Sequence, residues 1–383
     1  MQATAPQRDI HMSIHPQGRP PFRADHVGSL LRPASLRQAF RQHAAGEIAA
    51  DEFTRIQDQA IRDAVRMQEE VGLPVVTDGE FRRGSYWASF VERTDGLDIR
   101  DASFRFRDDG GREVGFTAPY ASGKLKRTRP IALDEFLFLR DVANATPKVT
   151  LPSPSTMHFF RCADFADPRA YRDVEEFFND LAVVFRQEIA DVVAAGCRYV
   201  QLDEVALALL CDPSIQQKVR TAGLDPDRLA DLYVAAINSA VRDCPAEVVT
   251  AVHMCRGNFK GHYLGEGGYG SVAERFFAGV RVNHFLLEYD TARAGDFLPL
   301  RCVPKDKGAV LGLISSKTPV LESLDVLQAR VGEAARYIDA DRLALGPQCG
   351  FASTVAGNPL TEADQRAKLG LAVAAARAIW GNV

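Results

Sequence analysis

Short apolar runs alternate with longer amphipathic stretches along most of this chain. Pro74-Val75-Val76-Thr77, Lys148-Val149-Thr150-Leu151, Tyr199-Val200-Gln201-Leu202, residues 246–252 and 283–287, Ala309-Val310-Leu311-Gly312-Leu313-Ile314 and Leu343-Ala344-Leu345 are too short for helices and read as buried strands. Asp25-His26-Val27-Gly28-Ser29-Leu30 adds a strand that runs into a tight Gly-Ser turn. Between these runs the 3.6-residue period predicts helices over 34–43, 51–71, 174–195, 227–243, 272–278, 323–339 and 362–378. Eight strands mostly separated by helices predict an α/β fold closed as a (β/α)8 TIM barrel, with a doubly wound open sheet as the second choice.

The alternation lapses once, after the second strand. From about 84 to 147 helical rhythm is absent, and Phe104-Arg105-Phe106-Arg107 followed by Asp108-Asp109-Gly110-Gly111 predicts a β-hairpin inside an insertion. Residues 1–22 mix Gln, Pro, His, Arg and Gly without period and are expected to form a mobile arm. The remainder, 23–383, is expected to be a single barrel domain.

A barrel places its active site at the carboxyl ends of its strands. Those ends carry Ser29, Glu80, Ser153 to Thr156, Asp203, His253 with Cys255, Glu288, Ser315 to Lys317, and Cys349. In His253-Met254-Cys255 the imidazole and thiol lie two residues apart, so one strand end projects both together. Glu288 and Cys349 end other apolar runs and are the candidates to complete a metal site. An N, S, O, S donor set suits zinc.

The charges of that set point to a chemistry. Two thiolates and a carboxylate overbalance a divalent zinc by one negative charge, which makes it a poor hydroxide generator. It still holds a substrate thiol as thiolate at neutral pH, where a free thiol of pKa about 8.5 is mostly protonated. Alkyl transfer to sulfur therefore fits better than hydrolysis. Glu80 and Asp203 are suited to hold an amino group, or form ion pairs with bases such as Arg82 or Arg83. Ser29 either binds a carboxylate through its N–H and hydroxyl or belongs to a turn with no ligand.

Composition narrows the classes. The 383 residues are 46% hydrophobic and 25% charged with a net charge of -4, which favours neither nucleic acid nor an anionic membrane as partner. No apolar run approaches about 18 residues and no secretory pattern opens the chain, so a cytoplasmic protein is expected. Seven scattered cysteines suggest free thiols and metal ligands, with Cys197, Cys211, Cys244 and Cys302 read as small buried hydrophobes. Gly265-Glu266-Gly267-Gly268-Tyr269-Gly270 has a dinucleotide-loop spacing but lies some ten residues past its strand, so a flexible loop is the better reading. Lys124, Lys126, Arg127 and Arg129 read as a solvated loop, with contact to an anionic substrate tail as the alternative. Oligomeric state is not legible.

His253-Met254-Cys255, Glu288, Gly346-Pro347-x-Cys349-Gly350, Gln201-Leu202-Asp203-Glu204, Asp78-Gly79-Glu80 and Val27-Gly28-Ser29 together resemble the catalytic half of cobalamin-independent methionine synthase. The likeness runs from about residue 22 to the C-terminus and is nearest to short, single-barrel relatives. It implies zinc held by His253, Cys255, Glu288 and Cys349, homocysteine gripped through Ser29, Glu80 and Asp203, and attack of the homocysteine thiolate on the N5-methyl group of 5-methyltetrahydrofolate. Phe160 stands where the family stacks a tryptophan near the pterin. Lys317 stands where the family has a histidine that protonates the leaving folate; here it would serve as an acid or hold an anion. The expected activity is thus a zinc-dependent methyltransferase forming methionine from homocysteine or a related small thiol. The alternatives are a zinc-dependent alkyl transferase or lyase joining a thiol to an electrophile such as an epoxide, and a structural or hydrolytic zinc protein.

Overall fold

The computed structural model describes residues 18–108 and 110–383. Most of the expected N-terminal arm, 1–17, and Asp109 of the hairpin turn lie outside the described residues. Of the rest of that arm, Gly18 and Pro20 pack against Gly308, and Phe22 packs on the barrel's inner core.

The strands in chain order are β1 (Val75–Val76), β2 (Thr94–Asp101), β3 (Phe106–Arg107), β4 (Glu113–Val114), β5 (Thr117–Arg127), β6 (Thr146–Pro147), β7 (Val149–Pro152), β8 (Tyr199–Glu204), β9 (Val249–Met254), β10 (His284–Glu288), β11 (Gly308–Ile314) and β12 (Leu343–Pro347). β7 to β12 form one parallel six-stranded sheet in sequential order. Two short staves complete the circle. On one side β1 pairs in parallel with β6, which runs on into β7. On the other, Ala24 bridges in parallel to Leu345, with Asp25 N–H donating to Leu345 O at 3.1 Å. Thr77 Oγ1 donates to Gly28 O at 2.6 Å and Leu30 N–H to Gly79 O at 3.1 Å, joining those two staves. The first expected strand is thus shortened to a single bridge. Gly346 is required there, because a Cβ would stand 2.0 Å from the Asp25 carbonyl oxygen.

Alternation sorts the strand residues between two cores. Val75, Tyr199, Val249, Ala251, Leu286, Val310 and Ala344 point inward and pack together inside the barrel. Their neighbours Val200, Leu202, Val252, Phe285, Leu287, Leu311 and Leu345 point outward beneath the helices. The expected helices appear as Ala34–Ala44, Ala50–Glu70, Val174–Ala194, Pro226–Val241, Leu324–Ala334 and Glu362–Trp380. Several begin at a side-chain cap that satisfies an otherwise free N–H: Asp173, Asp225 and Ser323 accept from Glu175, Asp227 and Val326, and Thr361 with Asp364 makes a full capping box.

Several helical elements depart from the expected pattern, among them the short helices Ala88–Glu92 and Ala206–Leu209. Within 272–278 the chain forms a single wide π-helical turn, Glu274–Ala278, instead of a regular α-helix. Leu133–Val142 is a helix within the insertion, hidden because Phe136-Leu137-Phe138-Leu139 is continuously apolar and shows no period. Pro213–Thr221 is also helical, with only Ile215 and Val219 buried and so too little apolar signal.

The insertion contains the expected hairpin, β3 with β4, and a longer antiparallel pair, β2 with β5. Arg107 and Tyr263 exchange backbone bonds of 2.7 and 2.8 Å, tying the hairpin to the loop after β9 and so across the barrel mouth. Lys124 and Arg127 stand on β5 instead of a loop. Lys124 pairs with Glu176 at 2.5 Å, and Arg127 pairs with Glu188 at 2.7 Å and Asp191 at 2.6 Å, so the helix Val174–Ala194 supplies their counter-charges.

Candidate active site

His253 is inward-facing on β9, Cys255 follows the strand directly, and Cys349 lies two residues beyond β12. The ligand atoms of these three buried side chains all lie within 4.8 Å of one another, with the two Sγ atoms 3.7 Å apart. His253 Nδ1 lies 3.2 Å from Leu286 O. A carbonyl only accepts, so Nδ1 carries the proton and Nε2 keeps its lone pair. That Nε2 is buried and has no hydrogen-bond partner of standard geometry among the described residues. The neighbouring Cys349 and burial hold the Cys255 thiol well above its usual range, as expected where two thiols share one site without hydration. One free imidazole nitrogen and two convergent thiols fit a zinc ion.

Glu288, the fourth predicted ligand, stands beside this trio and is not one of the converging donors. Its Oε2 accepts from Arg256 N–H at 2.6 Å, and its Oε1 lies 3.9 Å from Lys317 Nζ and 3.9 Å from Arg293. Burial alone would raise the Glu288 pKa, but Lys317 and Arg256 outweigh it and the net shift is downward. Lys317 is itself buried, donates to Gly257 O at 3.0 Å, and does not line the cavity described next.

A cavity of ≈ 500 Å³ opens over His253, Cys255 and Cys349. Ser29, Glu80, Asp203 and Phe160 line the same cavity, so four further predicted residues meet the trio. Glu80 has φ 61°, a left-handed conformation rare for this residue and worth about 1–3 kcal/mol of strain, which turns its carboxylate inward. Its Oε1 accepts from Thr150 Oγ1 at 2.9 Å and lies 3.7 Å from Arg83, while Oε2 is buried with no hydrogen-bond partner among the described residues. Of the two bases considered, Arg83 is near Glu80 but bonds more closely to Glu135 at 2.7 Å; Arg82 pairs with Asp58. Asp203 Oδ1 accepts from Gln201 at 2.7 Å. Burial and nearby Glu80 raise the Asp203 pKa against the opposing effect of His253.

Ser29 is set by close contact with Gly350, where a Cβ would lie 1.9 Å from Ser29 Oγ. Asn258 Nδ2 donates to Gly350 O at 2.7 Å and Ser316 Oγ to Gln348 Oε1 at 2.6 Å, so the loops after β9 and β11 brace the segment that carries Cys349. Phe160 meets Phe116 edge-on at 5.2 Å, and Phe106 and Phe116 of the insertion form the cavity roof with it. Tyr86, Trp87 and Asn258 also line the cavity and escaped sequence reasoning. The aromatic pair Tyr86-Trp87, shortly after Asp78-Gly79-Glu80, is the available signal, but it lies in a stretch without period. The Gly265–Gly270 loop is tied to the protein instead of open for a nucleotide: Gly267 O accepts from Arg256 Nε at 2.8 Å and from its terminal nitrogen at 2.6 Å.

A TIM barrel whose mouth gathers an imidazole, two thiols and two carboxylates around one roofed cavity defines a barrel enzyme built for small-molecule chemistry. Residues 22–378 match the catalytic domain of the cobalamin-independent synthases, and the chain belongs to that family. It is 42% identical over 370 residues to the uncharacterized protein YxjH of Bacillus subtilis, covering 95% of this chain and 96% of the relative. It is 25% identical over 327 residues to a methionine synthase of Sulfolobus acidocaldarius, covering 85% and 84%. Among solved structures, a candidate vitamin-B12 independent methionine synthase from Listeria monocytogenes superposes with a TM-score of 0.75 at 34% identity, covering 96% of this chain and all of that one, 100%. A B12-independent methionine synthase from Shewanella, in complex with selenomethionine, shares the fold at TM-score 0.73 and 20% identity, covering 94% and 97%.

Proposed function

We propose that this protein is a zinc-dependent methyltransferase that moves a methyl group from 5-methyltetrahydrofolate to the thiolate of homocysteine or a related small thiol, giving methionine in the case of homocysteine. The observation that carries this reading is the shared cavity wall. His253, Cys255 and Cys349 line it together with Glu80 and Asp203, so donors suited to a thiol-binding metal and carboxylates suited to an ammonium face the same space, as a short aminothiol requires. Family membership supports the reaction class.

His253, Cys255 and Cys349 would hold the zinc, with Glu288 poised beside them. When bound, the zinc supplies the positive charge that keeps a thiol ionised at neutral pH. Glu80 Oε2 and Asp203 accept from the substrate ammonium, and Ser29 addresses its carboxylate. This three-point grip fixes the sulfur towards the donor, so that proximity and alignment carry much of the rate. Phe160 stacks on the donor ring, and Phe106 and Phe116 exclude water above the reacting atoms. The S–C bond forms as the N5–C bond breaks, and the departing nitrogen takes up from solvent, as the product leaves, the equivalent of the proton that the thiol released on binding. Lys317 acts through Glu288, to which it is the nearest ammonium, and not on the donor.

The test is a titration of the zinc-loaded protein with homocysteine, following proton release and zinc–sulfur coordination by X-ray absorption. One added sulfur neighbour and one released proton are expected; a thiol that never enters the shell would sink the reading. Addition of 5-methyltetrahydrofolate should then yield methionine, and thiol entry without methionine would leave alkyl transfer from another electrophile. Cys349→Ser is expected to weaken zinc retention by more than about 100-fold and to abolish transfer. Full retention of both removes Cys349 from the ligand set.

A further inference from the structure

Tyr199, Gln201 and Asp203 are spaced two residues apart on β8, so all three point into the barrel. Barrel interiors are ordinarily packed with branched apolar side chains in layers. On this strand every inward layer is polar, and the polar groups are joined in one hydrogen-bonded chain. Gln201 Nε2 donates to Asp203 Oδ1 at 2.7 Å and to Val27 O at 2.6 Å, and Gln201 Oε1 accepts from Lys148 Nζ at 2.9 Å. Lys148 Nζ also donates to Asp25 Oδ1 at 2.8 Å and to His26 O. Asp25 Oδ2 accepts from the Tyr199 hydroxyl at 2.5 Å, which in turn lies 2.7 Å from His284 Nε2.

Counting donors decides the geometry. An ammonium has three hydrogens and no acceptor, while a side-chain amide offers two hydrogens and one carbonyl oxygen. Lys148 places all three hydrogens, on Asp25, His26 and Gln201. Gln201 therefore meets it only through Oε1, and its NH2 group must face Asp203. A flipped amide would set NH2 against an ammonium and a carbonyl against a carboxylate. With Oδ1 committed to Gln201, Asp203 has Oδ2 left for the cavity. A buried charged chain is weak evidence of stabilisation, because a buried ion pair replaced by apolar groups of equal volume is often neutral or stabilising.

We propose that Gln201, oriented by Lys148 and Asp25, is a positioning residue that selects α-amino thiols, by presenting Asp203 Oδ2 as the acceptor for the substrate ammonium. The proposal rests on the reading above, in which an aminothiol is the methyl acceptor. Asp203 touches the substrate; Gln201 and Lys148 act only through it. A thiol without the amino group gains nothing from the relay.

The experiment compares homocysteine with 4-mercaptobutyrate, the same thiol acid without its amino group, as methyl acceptors for the zinc-loaded enzyme. Gln201→Glu sets a second carboxylate against Asp203, and Gln201→Met removes the donor at similar size without adding charge. Zinc content and melting temperature identify which variants are folded. The KM for homocysteine is expected to rise about tenfold or more with a smaller change in kcat, while the KM for 4-mercaptobutyrate stays at its wild-type value. A merely structural role would move both thiols together. A folded, zinc-replete Gln201→Glu or Gln201→Met enzyme that keeps the wild-type ratio between the two thiols overturns the proposal. Should Gln201→Glu not fold, Gln201→Met alone is decisive. Wild-type enzyme that accepts homocysteine no better than 4-mercaptobutyrate also overturns it, without touching the methyltransferase reading. Failure of wild type on both thiols would strike that reading itself.

Discussion

Lys317 Nζ stands 3.9 Å from Glu288 Oε1, and both side chains are buried. At this separation, out of water, the ammonium is a principal reason why a fully buried carboxylate stays ionised. Glu288 is thereby kept charged next to the converging donors while its other oxygen is held by the backbone of Arg256.

Lys317→Met should consequently cost stability as well as activity. It leaves Glu288 buried beside one fewer cation, and loss of one partner of a buried pair costs roughly 3 kcal/mol. Urea denaturation is expected to show a lower midpoint with an unchanged slope. The double variant Lys317→Met with Glu288→Gln should recover much of the loss, and no recovery would mean that the two groups are not coupled.

Gly350→Ala tests the contact that sets Ser29. A methyl group would stand 1.9 Å from Ser29 Oγ, so the serine must move away from the cavity. Overpacking of this kind costs about 1–3 kcal/mol. The KM for homocysteine should rise several-fold more than the KM for the methyl donor. Equal changes in both would indicate general damage to the mouth instead of displacement of Ser29.

Acid should unfold the protein well above the pH at which its folded histidines titrate. Burial lowers the pKa of His26 and His158 to about 3 and that of His284 to about 4. In the unfolded chain each titrates near 6.5. Between about 6.5 and 3 the unfolded state therefore binds protons that the folded state does not, and stability falls as pH falls through that window. Their contribution is fully present above 6.5. Chemical denaturation from pH 8 to 4 should show the decline beginning below about 6.5. His158→Phe, which removes the imidazole 2.8 Å from the Tyr233 hydroxyl, should flatten the slope. A slope identical to wild type would show that His158 does not carry it.

The linear pattern of residues was sufficient for the barrel and for bringing most of the candidate residues to one mouth, because both rest on local regularities. Apolar runs of strand length and helical periods are written over a few turns of chain. Once eight such units are counted, closure puts every strand end at one mouth, and His253, Cys255, Cys349, Glu80, Asp203 and Ser29 follow by position. The resemblance on those motifs added Phe160, which does line the cavity. What local pattern misread was also local in cause: a helix hidden inside the run 136–139, and one with too few buried residues, at Pro213–Thr221.

Tertiary structure alone decided the contacts that depend on angle and distance between remote segments. No spacing in the chain indicates that Glu288 turns to Arg256 N–H and Lys317 instead of joining the two thiols, or that Lys317 lies outside the cavity. The roof by Phe106 and Phe116 arises because Arg107 and Tyr263, far apart in sequence, exchange backbone hydrogen bonds. The same holds for Lys148 and Gln201. Each reads locally as one polar residue in an apolar strand, and their pairing exists only because barrel closure points both side chains at the same interior point, where every hydrogen must find an acceptor.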